Sequence, residues 1–161
     1  MLPETLAENP IALQISQQIP DAIVNAKDEA DGPVFYIDPK HIQAVGTFLK
    51  LNQDFEQLAG ITAVDWWPRS PRFEVVYLLH SYKNNIRVRL MVQIAESESL
   101  DTLSFVWRSA NWYEREVFDL FGIPFRSHPN LERIMMPADW EGHPLRKDYP
   151  VHGHKYSYQD E

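Results

Sequence analysis

A chain of 161 residues that is 44% hydrophobic and 12% aromatic suffices for one globular domain with its own core. It contains no cysteine, which excludes disulfides, thiolate nucleophiles and Cys-ligated zinc or iron–sulfur centres in this chain. Its net charge of −8 argues against nucleic acid, which is bound through clustered Lys and Arg.

"MLPETLAENP" lacks the basic start and apolar core of a secretory leader, and no apolar run approaches the roughly 20 residues that span a bilayer. A soluble intracellular protein is expected, meeting a membrane only through other proteins. "NPIALQISQQIP" predicts a short helix in which Asn9 caps, Pro10 suits the first turn and Pro20 stops the run. "PVFYIDP" is a strand candidate bounded by prolines. Asp38 caps a second helix begun by Pro39, with Ile42, Val45, Phe48 and Leu49 on one face. "GITAVDWW" reads as a strand ending near Pro68. A hairpin follows: "RFEVVYLLHSY" and "IRVRLMVQIA" flank Lys83, Asn84 and Asn85, and Asn tolerates the positive φ of a tight turn. In its second arm Ile86, Val88, Leu90, Val92 and Ile94 face one way, the pattern of a half-buried antiparallel strand. The first arm is apolar on both faces and belongs inside the sheet. "LSFVW" predicts one more strand. The fold class is α+β: a mostly antiparallel sheet with helices on one side, over residues 1–123. An extended irregular C-terminal segment, residues 124–161, follows it and is not an independent domain.

Both ends of a further helix are written into "ANWYEREVFDLFGIPF". Asn111 and Glu114 have capping-box spacing. Tyr113, Val117, Leu120 and Phe121 make an apolar stripe, Arg115 and Asp119 can pair on the outer side, and Gly122 falls where a left-handed residue ends a helix. These signals predict a helix over 112–121. Glu114 and Glu116 are two apart and point to different sides, so they read as a solvated or partner-facing charge run rather than paired catalytic acids.

The stretch "HPNLERIMMPADWEGHPLRKDYP" has neither a helical nor a strand period. His128, Asp139, Glu141, His143, His152 and His154 are metal-ligand types, but none has HExxH spacing, and "HGH" would chelate weakly. A small metal-dependent enzyme using His128, His143 and nearby carboxylates is the alternative reading. No G-x-S-x-G elbow, phosphate-cradling glycine loop or G-x-G-x-x-G fingerprint is present. Residues 107–155 carry seven basic and seven acidic side chains, against eight and fourteen in residues 1–106. A charge-balanced strip with Pro124, Pro129, Pro137, Pro144 and Pro150 suits burial, because proline lowers the entropy lost on fixing it. Its Met and aromatic residues can dock on a partner or wrap their own domain. Both possibilities stand on the residues alone.

"NWYEREVFDLFGIPFRSHPNLERIMMPADWEGHPLRKDYP" resembles the signature of the 30-kDa subunit family of respiratory complex I, over roughly residues 107–150. The matching positions are Glu114 to Glu116, Asp119 to Ile123, His128 and Pro129, Arg133 and Ile134, and Asp139 to Tyr149. Within that family the short chain is most similar to the J-subunit branch of the cyanobacterial and plastid NAD(P)H–plastoquinone oxidoreductases. The sequence departs from the pattern at Glu132, where many relatives carry a basic residue, leaving Arg133 alone. The resemblance implies a non-catalytic peripheral-arm subunit of a proton-translocating oxidoreductase, holding no cofactor itself. Iron–sulfur clusters and plastoquinone would lie in neighbouring subunits, chiefly the large quinone-site subunit and the cluster carriers, with ferredoxin as donor to the complex. The expected location is the cytoplasmic or stromal side of a thylakoid membrane. The expected subunit interface comprises Glu114, Arg115, Glu116, His128, Arg133, Asp139, Trp140, His143, Arg146, Lys147, Asp148 and Tyr149.

Overall fold

A computed structural model describes residues 9–151; His152, His154 and most of the N-terminal stretch lie outside them. The first helix, α1 (Pro10–Gln18), is capped by Asn9, whose side-chain oxygen accepts from the amides of Ile11 at 3.0 Å and Ala12 at 3.3 Å. Then come β1 (Ile23–Glu29), β2 (Gly32–Ile37), a 3-10 turn (Pro39–His41) and α2 (Ile42–Asn52). Asp38 accepts from the Lys40 amide at 2.9 Å and caps that turn; the expected helix thus begins as a 3-10 turn at Pro39, and α2 itself starts at Ile42 without a side-chain cap. The chain continues through β3 (Gln57–Asp65), β4 (Phe73–Ser81), β5 (Ile86–Ile94), the short β6 (Leu100–Asp101), α3 (Ala110–Phe121) and the short β7 (Phe125–Arg126).

The five longer strands form one sheet in the order β1-β2-β5-β4-β3, antiparallel except for the β2–β5 pair. Register places one row of side chains across all five strands: Ile61, Tyr77, Leu90, Phe35 and Ala26 are successive cross-strand partners. All five are buried, and the core they floor is completed by Ile11 and Ile15 of α1, Ile42, Val45 and Leu49 of α2, and Val117 and Phe121 of α3. The opposite face stays open, with Arg87 and Gln93 exposed. Alternation in β5 requires this, because it sends Val88, Leu90, Val92 and Ile94 to the core and the residues between them outward. This is the α+β arrangement expected, with its helices on one face of the sheet.

The structure differs from the sequence reading in several places. The segment from residue 124, expected to be irregular, opens with β7, which pairs parallel to β6. The polar strand β1 carries no apolar alternation, since only Ala26 is buried within it; it is an edge strand held by its ladder with β2. "LSFVW" is a turn rather than a strand, for Val106 and Trp107 both donate to the Leu103 carbonyl, at 2.9 and 2.8 Å. That turn brings Leu103 and Trp107 together against Gly46 of α2 and leaves Phe105 exposed, whereas a strand would put all three on one face. Finally, α3 starts at Ala110, two residues early, and no side chain caps it; Ser109 donates to the Leu58 carbonyl at 3.2 Å instead. The Asn111–Glu114 box does not form, because Asn111 lies inside the helix and the Glu114 carboxyl is turned inward onto Thr102 and Leu103; of the expected stripe Val117 and Phe121 are buried, while Tyr113 and Leu120 are half-buried against the core.

Gly32 closes the β1–β2 turn at φ +124, and a Cβ there would lie 2.5 Å from the Arg87 carbonyl oxygen. Gly32→Ala should destabilise the domain by about 1–3 kcal/mol, read as a lower urea midpoint at unchanged slope.

Candidate functional site

Four carbonyls at a helix C-terminus have no partner within the helix. In α3 these belong to Phe118, Asp119, Leu120 and Phe121. The Phe118 oxygen accepts from the Gly122 amide at 2.8 Å; the other three are met by the segment after β7. Asp119 O accepts from Arg133 at 3.2 Å and from the His143 Nδ1–H at 2.9 Å. Leu120 O accepts from the Leu145 amide at 3.0 Å, and Phe121 O from Arg146 Nε at 2.6 Å. Gly122 makes this close approach possible. Its φ is +76, and a Cβ would stand 2.5 Å from the His143 ring and 2.7 Å from the Arg146 guanidinium.

The side chain of Asp119 ties the same strap from inside. It is fully buried, and its Oδ2 accepts from three successive amides, Ile134 at 2.9 Å, Met135 at 2.7 Å and Met136 at 2.9 Å. Its Oδ1 meets Arg133 at 2.6 Å, and the other arm of that guanidinium reaches the Gly142 carbonyl at 2.9 Å. Burial pulls the carboxyl pKa upward, but the three amides and Arg133 outweigh it and hold the pKa below its ordinary value. The expected outer-face pair between Arg115 and Asp119 therefore does not form. Asp119 faces the strap, while Arg115 lies over the Trp112 ring at 5.0 Å and donates to the Glu132 carbonyl at 3.1 Å.

A second clamp holds the end of the strap. Arg72, 5% exposed, forks onto Asp65 at 3.0 and 2.9 Å, onto Asp148 at 3.0 and 2.6 Å, and onto Glu96 at 3.0 Å. Asp65 also accepts from the amides of Trp67 and Lys147, both at 2.9 Å. Arg146 joins the cluster through Glu96 at 2.9 Å, and both guanidiniums lie over the Phe73 ring. Burial raises the Asp65 pKa, but Arg72 and the two amides reverse that and bring it to about 2. Arg72 is pushed above its ordinary range by Asp65 and then Asp148.

Among the expected interface residues, Arg133, His143, Arg146 and Asp148 thus bind the chain's own backbone and side chains. Glu114 is not on a solvated face. It is completely buried, with Oε1 accepting from the Leu103 amide at 2.6 Å and Oε2 meeting the Thr102 hydroxyl at 2.5 Å. The ring of His128 is also covered, its Nε2 lying 3.1 Å from the Asn111 carbonyl. Glu116 and Trp140 are half-buried, whereas Asp139 and Lys147 are exposed, Lys147 reaching over the Trp66 ring at 5.9 Å. Tyr149 donates to the Glu141 carbonyl at 3.3 Å. His128 and His143 hydrogen-bond to carbonyls eight residues apart on α3, about 12 Å along the axis. They cannot share one metal ion, and no group of three His, Asp or Glu suited to a metal occurs among the described residues. An open groove of about 670 Å³ lies on the far sheet face, lined by Gln57, Leu78, His80, Tyr82 and Arg87, away from the strap. Sequence reasoning missed Asp65, Arg72 and Glu96. The available signal was an acid closing an apolar strand and an arginine opening the next.

Residues 35–155 match the family described as respiratory-chain NADH dehydrogenase, 30 Kd subunit. The C subunit of NADH-quinone oxidoreductase from Geotalea uraniireducens is 41% identical over 150 residues, 92% of this chain and 92% of that protein. Its counterpart from Roseiflexus sp. is 46% identical over 136 residues, 83% of this chain and 78% of that one. Among solved structures, the trypsin-resistant fragment of Nqo5 superposes with a TM-score of 0.60 at 34% identity, over 66% of this chain and 88% of the fragment. A chain of the membrane-bound sulfane sulfur reductase, an archaeal respiratory membrane complex, gives 0.73 at 26% identity, over 88% of this chain and 84% of its own.

Asp119→Ala removes four hydrogen-bond partners from the strap at once and should cost about 3–5 kcal/mol. Limited proteolysis should then cut between residues 127 and 150 while the sheet core resists. Acid should also weaken the fold. The lowered Asp65 pKa contributes stability that is complete above its ordinary value near 3.8 and is lost as the pH falls toward 2. Urea midpoints should drop over that window by the equivalent of about 2 kcal/mol, and by less in Asp65→Asn.

Proposed function

The chain belongs to the 30-kDa subunit family of respiratory-chain NADH dehydrogenase, and from that premise we propose that it is a peripheral-arm subunit of a complex I-type quinone oxidoreductase. Relatives of nearly equal length are named as the C subunit of NADH-quinone oxidoreductase, which supports electron transport to a quinone as the activity of the assembly. Within it this chain is a scaffold rather than a catalyst. The observation carrying that role is the internal use of its chemistry-bearing side chains. Asp119, Arg133, His143, Arg146, Arg72 and Asp65 hold the strap to the domain, and no cysteine is available to ligate a cluster.

The finer reading rests on the C-terminal signature. Plastoquinone is the acceptor and ferredoxin the donor to the complex, electron flow is coupled to proton translocation, and the assembly sits on a thylakoid membrane. Clusters and quinone are held by neighbouring subunits, the large quinone-site subunit among them. The surface that meets those neighbours is the outer side of α3 and the strap. There Trp112 is 62% and Met135 58% exposed, with Glu116, Asp139, Trp140, Lys147 and Tyr149 as companions. Large exposed apolar side chains on a clamped surface suit docking, since little ordering entropy remains to be lost.

The combined Trp112→Ala and Met135→Ala variant should unfold at the same urea concentration as wild type, yet enter the complex several-fold less well. Native-gel assembly and plastoquinone reductase activity of membranes read this directly. Full assembly by the variant would disprove the docking surface. Co-purification of cluster-bearing subunits with the wild-type chain tests the reading as a whole.

A further inference from the structure

Glu114 is a carboxyl group in the core with no Lys or Arg partner among the described residues. No Lys or Arg nitrogen of theirs lies within 4.0 Å of it, and the charged-group contact it makes is with His128, whose Nε2 is 3.8 Å from Glu114 Oε2. That imidazole is locked neutral by its own hydrogen bonds. The Asn130 amide donates to Nδ1 at 3.1 Å, so Nδ1 carries no proton, and Nε2–H donates to the Asn111 carbonyl at 3.1 Å. Charging His128 would set a new Nδ1–H against the Asn130 N–H. The other titratable groups around the site offer no cation either. The Tyr77 hydroxyl of β4 is buried with no hydrogen-bond partner among the described residues, Asp101 of β6 is paired with Arg126 of β7 at 2.8 Å, and Arg115 is committed to Trp112 and Glu132. The hydroxyls of Thr102 and Ser104, 2.8 Å apart, can reverse their donor direction, so the Thr102–Glu114 contact survives with the acid as donor.

We infer that Glu114 is a proton-loaded latch: the folded chain keeps its carboxyl neutral, and losing that proton loosens the join between α3, the 102–104 turn and the His128 root of the strap. Burial raises the Glu114 pKa from 4.5 to about 7, against the opposing pull of Thr102 and the Leu103 amide. A folded pKa above the unfolded one gives stability that is complete below about 4.5 and is lost as the pH rises through about 7. Neutral pH therefore sits on the edge of the latch.

Hydrogen exchange at the Leu103 amide of the full-length chain tests this, with Glu114→Gln keeping both contacts but no titratable proton. After correction for intrinsic rates, the ratio of wild-type to Glu114→Gln protection should fall about fortyfold between pH 5 and 7, approaching tenfold per unit midway through that window. A flat ratio overturns the inference. If the variant does not fold, the side-chain carboxyl carbon resonance of Glu114 in the wild type decides: a midpoint near 7 supports the latch, and one near 4.5 overturns it.

Discussion

The three open carbonyls at the end of α3 are the constraint on which the C-terminal third of the molecule depends. A helix end facing the body of a protein cannot leave its acceptors dry. Here the strap supplies the donors, one backbone amide and the side chains of Arg133, His143 and Arg146. Each donor lies 14 to 25 residues beyond its acceptor. An irregular chain thereby acquires one path without needing secondary structure of its own. Gly122 determines how near that path can run, and Asp119 determines where it turns.

The Arg72 cluster solves a different problem. A buried arginine is costly unless its donors and charge are met. Asp65 meets it from the adjoining strand and Asp148 from the far end of the strap, so the strap's final turn completes the shell of acceptors around a buried guanidinium. Three carboxylates face Arg72 and Arg146, which leaves the cluster with one net negative charge. Arg146 and Asp148 of the charge-balanced C-terminal region meet their partners here within the molecule rather than across an interface.

Local signals were legible in the sequence and distant ones were not. Asn9 with Pro10, Asp38 with Pro39, the Asn85 hairpin and Gly122 each act within a few residues, and each does what its chemistry predicts. The strand β1 was invisible because its order comes from the β2 ladder rather than from its own apolar pattern. Glu114 looked solvated because a charge on a helix usually is, and its burial depends on Thr102 and Leu103, which come from another part of the chain. Asp148 sits 76 residues from Arg72, a separation at which composition alone names no partner. The family resemblance read the strap as a surface that grips a neighbour, whereas the grip of Arg133, His143, Arg146 and Asp148 on their own domain is visible only in the fold.

Asp119 reads the strap through main-chain N–H groups at Ile134, Met135 and Met136, not through side chains. At the exposed position 135 any residue with an amide hydrogen can make the contact, proline alone being barred, whereas Ile134 and Met136 are half-buried. The outward side chain at position 135 is therefore uncoupled from folding. A lineage could retune that surface toward a changed neighbour while the carboxylate beneath it, and the stability it confers, stayed as they are.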